Sequence, residues 1–561
     1  MSDSNKKQTF LHGAALLALA TAVVKLIGAF YKIPLKMIIG DQGYGYFTTA
    51  YDIYSVLLMI STAGLPIAMS RMISQANSLG HCNRVRQVYK TSRGIFLGLG
   101  ILSSLLMIFG CRWLANILEQ PDAWFAILCL GPCALLMGVM STFRGFFQGQ
   151  ENMRPTSNSQ MLEAAIKLIV GLAAAFVIMR MTNRVSFAAG GAILGVTISC
   201  LISSIFLFSQ FRPAYRDLPN TQEDAGTGKS TAKALLAIAI PITIGSAGLQ
   251  LLTVVETGLY MDRLVMLIET NQYTLPLIDT IKADILASEP ALSSGQLPTQ
   301  VAATLKGIYN FAQTIFNMPC AFIVPITASV LPAITAHLTL SKDNEVRATE
   351  ESAARITGLL SMPCSVGLCI LARPIMALLG GYSGEKLDLA ATLMMMLGGS
   401  VFLYAIIQYT NVVLQSHGLA HVPVINMLLS GGAKLAVVYI LTGNPALGIL
   451  GAPIGTLLCY AVIAILNLIC IRKLISQKPR LLRNLLRPLL PALLMGVAVF
   501  FAYQGLIRVL GADGSRIILC GAPIALGAAI YFLFVVLTKA ITREDCLLLP
   551  KGEKIADLLH L

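Results

Sequence analysis

Hydrophobic positions in this chain neither alternate with polar ones nor fall into narrow helical stripes. They run in long apolar windows separated by short polar connections, at approximately 10–38, 45–68, 92–116, 122–143, 159–179, 186–210, 236–260, 305–336, 355–378, 388–412, 422–442, 446–471, 487–508 and 517–538. A window of about 20 residues crosses a hydrocarbon core of about 30 Å as a helix. Strands are excluded: backbone in lipid must pair within its own segment or within a closed barrel, and the ~10-residue alternating segments of a barrel are missing. The pattern therefore predicts an all-α integral membrane protein of about fourteen transmembrane helices. The first window runs on through Lys25 to Ile39 without a cleavage signature, so it is expected to stay as a span rather than leave as a signal peptide.

Composition agrees with that class. The chain has 561 residues, 56% hydrophobic and 12% charged, against about 25% charged in soluble domains. The net charge of +14 could suit nucleic acid, but the basic residues lie between apolar spans and form no aromatic-interleaved patch. They read as topology signals. Of 41 lysines and arginines, 26 fall in the alternate connections that include the N-terminus, 11 in the opposite set and four within spans. The positive-inside rule then places both termini in the cytoplasm of a multi-pass cell-membrane protein. The twelve cysteines are scattered singly, with no CxxC pair or histidine cluster, and predict neither a disulfide nor a metal.

The connection at 211–235, rich in proline, glycine and acidic residues, divides the chain into six spans and eight. Gln148 to Lys167 (QGQENMRPTSNSQMLEAAIK) resembles Gln415 to Lys434 (QSHGLAHVPVINMLLSGGAK), each with a loop proline and an apolar run ending in lysine. These stretches lie at spans four to five and ten to eleven, equivalent positions if two six-helix halves repeat. The expected organisation is an N-terminal lobe at 1–210, a linker at 211–235, a C-terminal lobe at 236–475, and two extra helices with a tail at 476–561. Repeats of this kind enclose a substrate path around a central cavity.

Ionisable groups inside spans are costly unless paired or facing water, which makes them functional candidates. Lys25, Lys32 and Lys36 share one stripe of the first span. For Lys32 and Lys36 the alternative is snorkelling to the headgroups. Glu163 and Lys167, four apart with the acid first, form either an intrahelical pair or part of a cavity wall. Lys434 has no acid at helical spacing and should face water, a ligand or a distant acid. Arg144 sits at a span end, as an interfacial anchor or at an inner mouth. Lys25, Lys32, Arg144, Lys167 and Lys434 are thus candidates for a cationic substrate site. Asp52, Glu163, Glu256, Asp262 and Arg263 are candidates for ion coupling or gating, with plain pairing to Lys25 as the alternative for Asp52 and Glu256.

Catalytic signatures are absent. GTGKS at Gly226–Ser230 lacks the first glycine of a phosphate loop and follows no strand. No HExxH or GxSxG occurs, and the outer connection from Arg263 to Thr304 is expected to be partly helical. No cofactor is implied.

Four segments together resemble the polysaccharide-transporter group of the multidrug/oligosaccharidyl-lipid/polysaccharide exporter superfamily. They are VKLIGAFYKIPL (Val24–Leu35), YDIYSVLLMISTAGLPIAMSRMIS (Tyr51–Ser74), RGFFQGQENMRPTSNSQMLEA (Arg144–Ala164) and IYNFAQTIFNMPCAFIVPITASVLPAI (Ile308–Ile334). The nearest branch is that of stage V sporulation protein B, related to the lipid II flippases. The resemblance implies no enzyme. It implies a flippase that moves an undecaprenyl-pyrophosphate-linked peptidoglycan or polysaccharide precursor outward by alternating access, driven by membrane potential, sodium or protons. Its partners would be the lipid-linked glycan, membrane lipids and cell-wall synthesis proteins. Lys25 matches the family's first-helix cation, whereas Tyr31, Leu58 and Thr314 stand where characterised lipid II flippases carry arginines. A drug/cation antiporter of the same superfamily, a membrane glycosyltransferase and a non-transporting scaffold are the competing readings.

Overall fold

A computed structural model describes residues 3–62, 64–219, 227–275, 277–288, 295–476, 479–511, 514–538 and 540–541; the side chains of 3–22, of Lys25 and of scattered positions in the long helices lie outside the described set. Every regular element among the described residues is helical. Eleven stretches there are long and apolar enough to cross a membrane.

The chain forms two compact units. The first comprises 1–272 and 281–310, the second 273–280 and 311–561. The first unit opens with α1 (Asp3–Thr62) and α2 (Gly64–Ser78). It continues with α3 (Cys82–Phe109), the short α4 (Cys111–Ile117), α5 (Trp124–Gly149), α6 (Arg154–Thr182), α7 (Val185–Arg216) and α8 (Gly228–Glu269). Next come α9 (Leu277–Ser288), a helix within the connection between α8 and α10, and α10 (Leu297–Thr339), whose stretch to Asn310 belongs to the first unit. The second unit holds the rest of α10, α11 (Asp343–Ile370), α12 (Ala372–Gly380), α13 (Gly384–Ser416), α14 (His421–Thr442), α15 (Gly451–Leu474), α16 (Leu481–Leu486), α17 (Leu489–Leu510) and α18 (Arg516–Leu537).

Helix ends follow local chemistry. The first two expected spans are one long element broken at Gly40, whose φ of 67° suits glycine because it has no Cβ to clash. Pro155 opens α6, where its missing N–H costs nothing, and Asn183 closes it in the left-handed conformation. The GTGKS run is a helix start: the Thr227 hydroxyl accepts from the Ser230 N–H at 3.3 Å. Helices reach into the expected 211–235 linker from both sides, ending at Arg216 and restarting at Gly228, because polar residues beyond the membrane can still propagate helix. The two segments matched in the sequence adopt the same local form. Each is a helix end, a short turn and a new helix with proline in its first turn, and Lys167 and Lys434 each stand thirteen residues after the first residue of theirs.

Within the first unit, α1 approaches the start of α10 closely enough that two glycines are required. A Cβ on Gly45 would lie 2.3 Å from the Ala303 carbonyl oxygen, and one on Gly307 would lie 1.8 Å from that of Asp41. Such small-residue contacts let helix backbones meet where no hydrophobic force drives them together. The second unit has a large apolar core of its own around Ile334, Tyr409, Val413, Ile463 and Leu485.

Gly307→Ala is expected to cost about 1–3 kcal/mol, as overpacking does, and to lower the melting temperature in detergent. Gly28→Ala, where a Cβ meets nothing within 4 Å, should melt as the parent does. Equal melting of both variants would refute the close contact.

Candidate functional site

The polar groups of the first unit concentrate on α1, α5, α6 and the start of α10. Lys306, one turn before Asn310, is completely buried. Its ammonium donates to Thr49 Oγ1 at 2.6 Å and lies 3.1 Å from Asp52 Oδ2. Asn310 adds a bond from Nδ2 to Thr48 Oγ1 at 2.7 Å. A charge in so apolar a place persists because its partners are supplied within reach. Asp52 therefore has Lys306 as a partner; its expected pairing with Lys25 falls on a side chain outside the described set. Lys306 is the residue sequence reasoning missed. Its signal was an ionisable group at span depth, followed at once by Gly307 and one turn on by a second polar residue, Asn310.

Glu163 likewise departs from expectation. Its carboxylate accepts from Arg144 Nη2 at 3.0 Å, while Arg144 Nε donates to Ser159 Oγ at 3.1 Å. Arg144 is thus neither an open anchor nor a free cavity cation: it ties α5 to α6. Of the two readings of the i to i+4 spacing, an intrahelical pair with Lys167 or a cavity wall, the pair does not form, because a guanidinium from the neighbouring helix satisfies carboxylate and hydroxyl together. Lys167 instead lies over the Tyr31 ring, 5.9 Å from its centroid, a cation–π contact. Tyr31 is itself fixed, its hydroxyl donating to the Ala192 carbonyl at 3.3 Å.

Lys32 is half-buried and lies within electrostatic reach of Lys167 and Asp52. Neither Lys32 nor Lys167 forms an ion pair with a described residue. Lys36 does not snorkel: it is buried and 3.2 Å from Asp41, across the break at Gly40. Lys25 falls outside the described side chains. The first unit therefore brings together Lys32, Lys167, Arg144, Lys306, Asp52 and Glu163, and within it both acids have basic partners while two lysines do not.

The remaining candidates lie apart. Glu256 is buried on α8 and acts electrostatically on Tyr260. Asp262 is exposed near the C-terminal end of α8, and Arg263 donates from Nη1 to Met266 Sδ at 3.5 Å. In the nearby turn, burial first, and then Asp262 and Glu269, raises the Glu119 carboxyl above the usual carboxylate range. Lys434 stands on α14 in the second unit, its stem beside Gly455 of α15. No cluster of ligating side chains suited to a metal occurs among the described residues.

Comparison with known proteins accords with this architecture. Residues 10–337 match the family described as polysaccharide biosynthesis protein, and residues 291–508 match that described as lipid II flippase MurJ. Among curated proteins of Bacillus subtilis (strain 168), the chain is 26% identical to the uncharacterized membrane protein YabM, over 99% of this chain and 97% of the relative. It is 23% identical to stage V sporulation protein B, over 97% and 98%. It is also 23% identical to lipid II flippase MurJ, over 87% of each. An inward closed structure of lipid II flippase MurJ shares the fold at a TM-score of 0.59 and 14% identity, covering 93% of this chain and 98% of that one. An inward-facing multidrug resistance MATE family transporter of the MOP superfamily does so at 0.61 and 15%, covering 81% and 98%. The chain is a multi-span membrane transporter of the flippase kind, not an enzyme, and it belongs to the polysaccharide biosynthesis protein family.

Proposed function

We propose that this protein flips an undecaprenyl-pyrophosphate-linked peptidoglycan or polysaccharide precursor from the inner to the outer leaflet by alternating access. The supporting observation is the partition of charge in the first unit. Arg144 and Lys306 neutralise Glu163 and Asp52, which leaves Lys32 and Lys167 as surplus positive charge. A pyrophosphate diester suits that surplus: phosphate oxygens form strong charge-assisted hydrogen bonds to ammonium groups, and the attraction is stronger beside apolar helices than in water. The stage V sporulation protein B and MurJ likenesses favour the same substrate class. A cationic-drug antiporter would call for the opposite arrangement, acids left over after pairing. Membrane potential, or a sodium or proton gradient, would supply the energy, with both termini in the cytoplasm.

The test is leaflet exposure of lipid II and of a neutral-headgroup lipid in proteoliposomes, with and without an imposed potential. The parent should expose lipid II selectively, and Lys32→Gln with Lys167→Gln should slow it by roughly tenfold or more, the scale of a lost charge-assisted bond. Transport at the parent rate in that double variant would overturn the assignment.

The Asp52–Lys306 pair should behave differently. Lys306→Met alone leaves Asp52 without its partner and should destabilise by about 3–5 kcal/mol. Lys306→Met combined with Asp52→Asn should recover most of that loss in thermal melts and retain flipping. A double variant that folds but does not flip would place the pair in substrate handling instead.

A further inference from the structure

A cavity of about 660 Å3 opens on the first unit between α3, α5 and α7, and none of the residues that line it belongs to the site described above. Its volume is in the ~300–1,000 Å3 range of small-molecule sites. Its chemistry is divided by depth. At the rim Lys90 and Arg93 are both exposed, and neither forms an ion pair with a described residue. They lie three apart on one helix face, an arrangement that repels unless an anion sits between them. Leu97 follows two turns below Lys90, about 10 Å along the helix, and the wall there is apolar.

The two hydroxyls of that wall seek no ligand. Thr142 donates to the Gly138 carbonyl at 3.0 Å and Ser204 to that of Cys200 at 2.7 Å, both within their own helices. Along the open flank Ile205 is 60% and Phe208 52% exposed, a mouth that suits hydrocarbon better than water. An aromatic cluster holds the shape beside the rim: the Tyr89 and Phe211 rings stack with centroids 4.5 Å apart, and the tilted Tyr215 ring lies 5.2 Å from Tyr89. The rim lies toward the ends of α3, α5 and α7 joined by the connections that belong to the lysine- and arginine-rich set.

We infer that this groove binds one acidic glycerophospholipid of the cytoplasmic leaflet, with the headgroup phosphate on Lys90 and Arg93 and an acyl chain lying against Leu97 and Phe208. The inference is independent of which glycan lipid the protein flips. Charge complementarity selects the headgroup, since each basic residue near an anionic lipid surface contributes an attraction that a zwitterionic lipid does not return. The apolar depth distinguishes an inserted chain from loose surface association.

The experiment is native mass spectrometry of the full-length protein released from nanodiscs of equimolar phosphatidylglycerol and phosphatidylcholine. The parent should retain one phosphatidylglycerol. Lys90→Gln with Arg93→Gln should reduce the affinity for it about thirtyfold, the effect of two lost surface attractions of about 1 kcal/mol each. Ile205→Trp, which narrows the mouth without touching charge, should reduce it as well. Lys473→Gln, at an exposed base on α15, should leave it unchanged. Equal retention of the two lipids by the parent, or undiminished retention in the rim variant, would overturn the inference. Loss in the rim variant with full retention in Ile205→Trp would reduce the groove to surface charge. Displacement of the bound lipid by equimolar undecaprenyl phosphate would make it an entry point for substrate, which the inference denies.

Discussion

Lys306 is wholly buried in an apolar bundle, and that is tolerable only because Asp52 and Thr49 lie within 3.1 Å and 2.6 Å of its ammonium. The pair fixes more than charge. It requires α1 and the start of α10 to meet in one register, and the backbones do meet, at Gly45 and Gly307, where any larger residue would collide with a carbonyl. Close packing and ion pairing thus constrain the same contact. A slip of one residue would turn Lys306 away from Asp52 by about 100°, leaving two uncompensated charges in a medium that penalises each by several kcal/mol.

The rest of the polar chemistry of the first unit follows from similar accounting. Arg144 takes up Glu163 and Ser159, so Lys167 is displaced onto the face of Tyr31. That ring is anchored by its hydroxyl to Ala192, and Tyr31 packs so closely on Gly171 that a Cβ there would lie 2.8 Å from the hydroxyl oxygen and 3.1 Å from a ring carbon. Lysine over a ring keeps its ammonium donors available, whereas lysine in an ion pair does not. The arrangement therefore leaves donors beside a hydrophobic wall, which is the requirement for recognising a phosphate carried on a lipid.

The membrane class and the positions of most helices were legible in the sequence, because lipid imposes a single dominant pattern: long apolar windows, helical backbone and few interior charges. Partner choice was not. Glu163 and Lys167 have ideal spacing on one helix, yet a neighbouring helix supplied a guanidinium that also reached Ser159. Lys36 sits near the expected end of a span and reads as snorkelling, but the turn at Gly40 folds Asp41 back onto it. Lys306 carries no local cue to its partner, which lies 254 positions away. In each case the information lies in the packing of one helix on another, which periodicity within a helix does not contain.

Asp52 and Glu163 are both matched by cations of the same unit. That has a consequence for transport. Displacing a body that contains whole pairs exposes no single buried charge, whereas separating the partners of a pair would leave one, at a cost of about 3–5 kcal/mol. Lys306 also lies only four residues before Asn310, where α10 leaves the first unit. The pinned section of α10 therefore ends almost at the unit boundary. Bending of the helix is then cheapest beyond that point, near Pro319, a proline that weakens the helix where no buried ion pair would be broken.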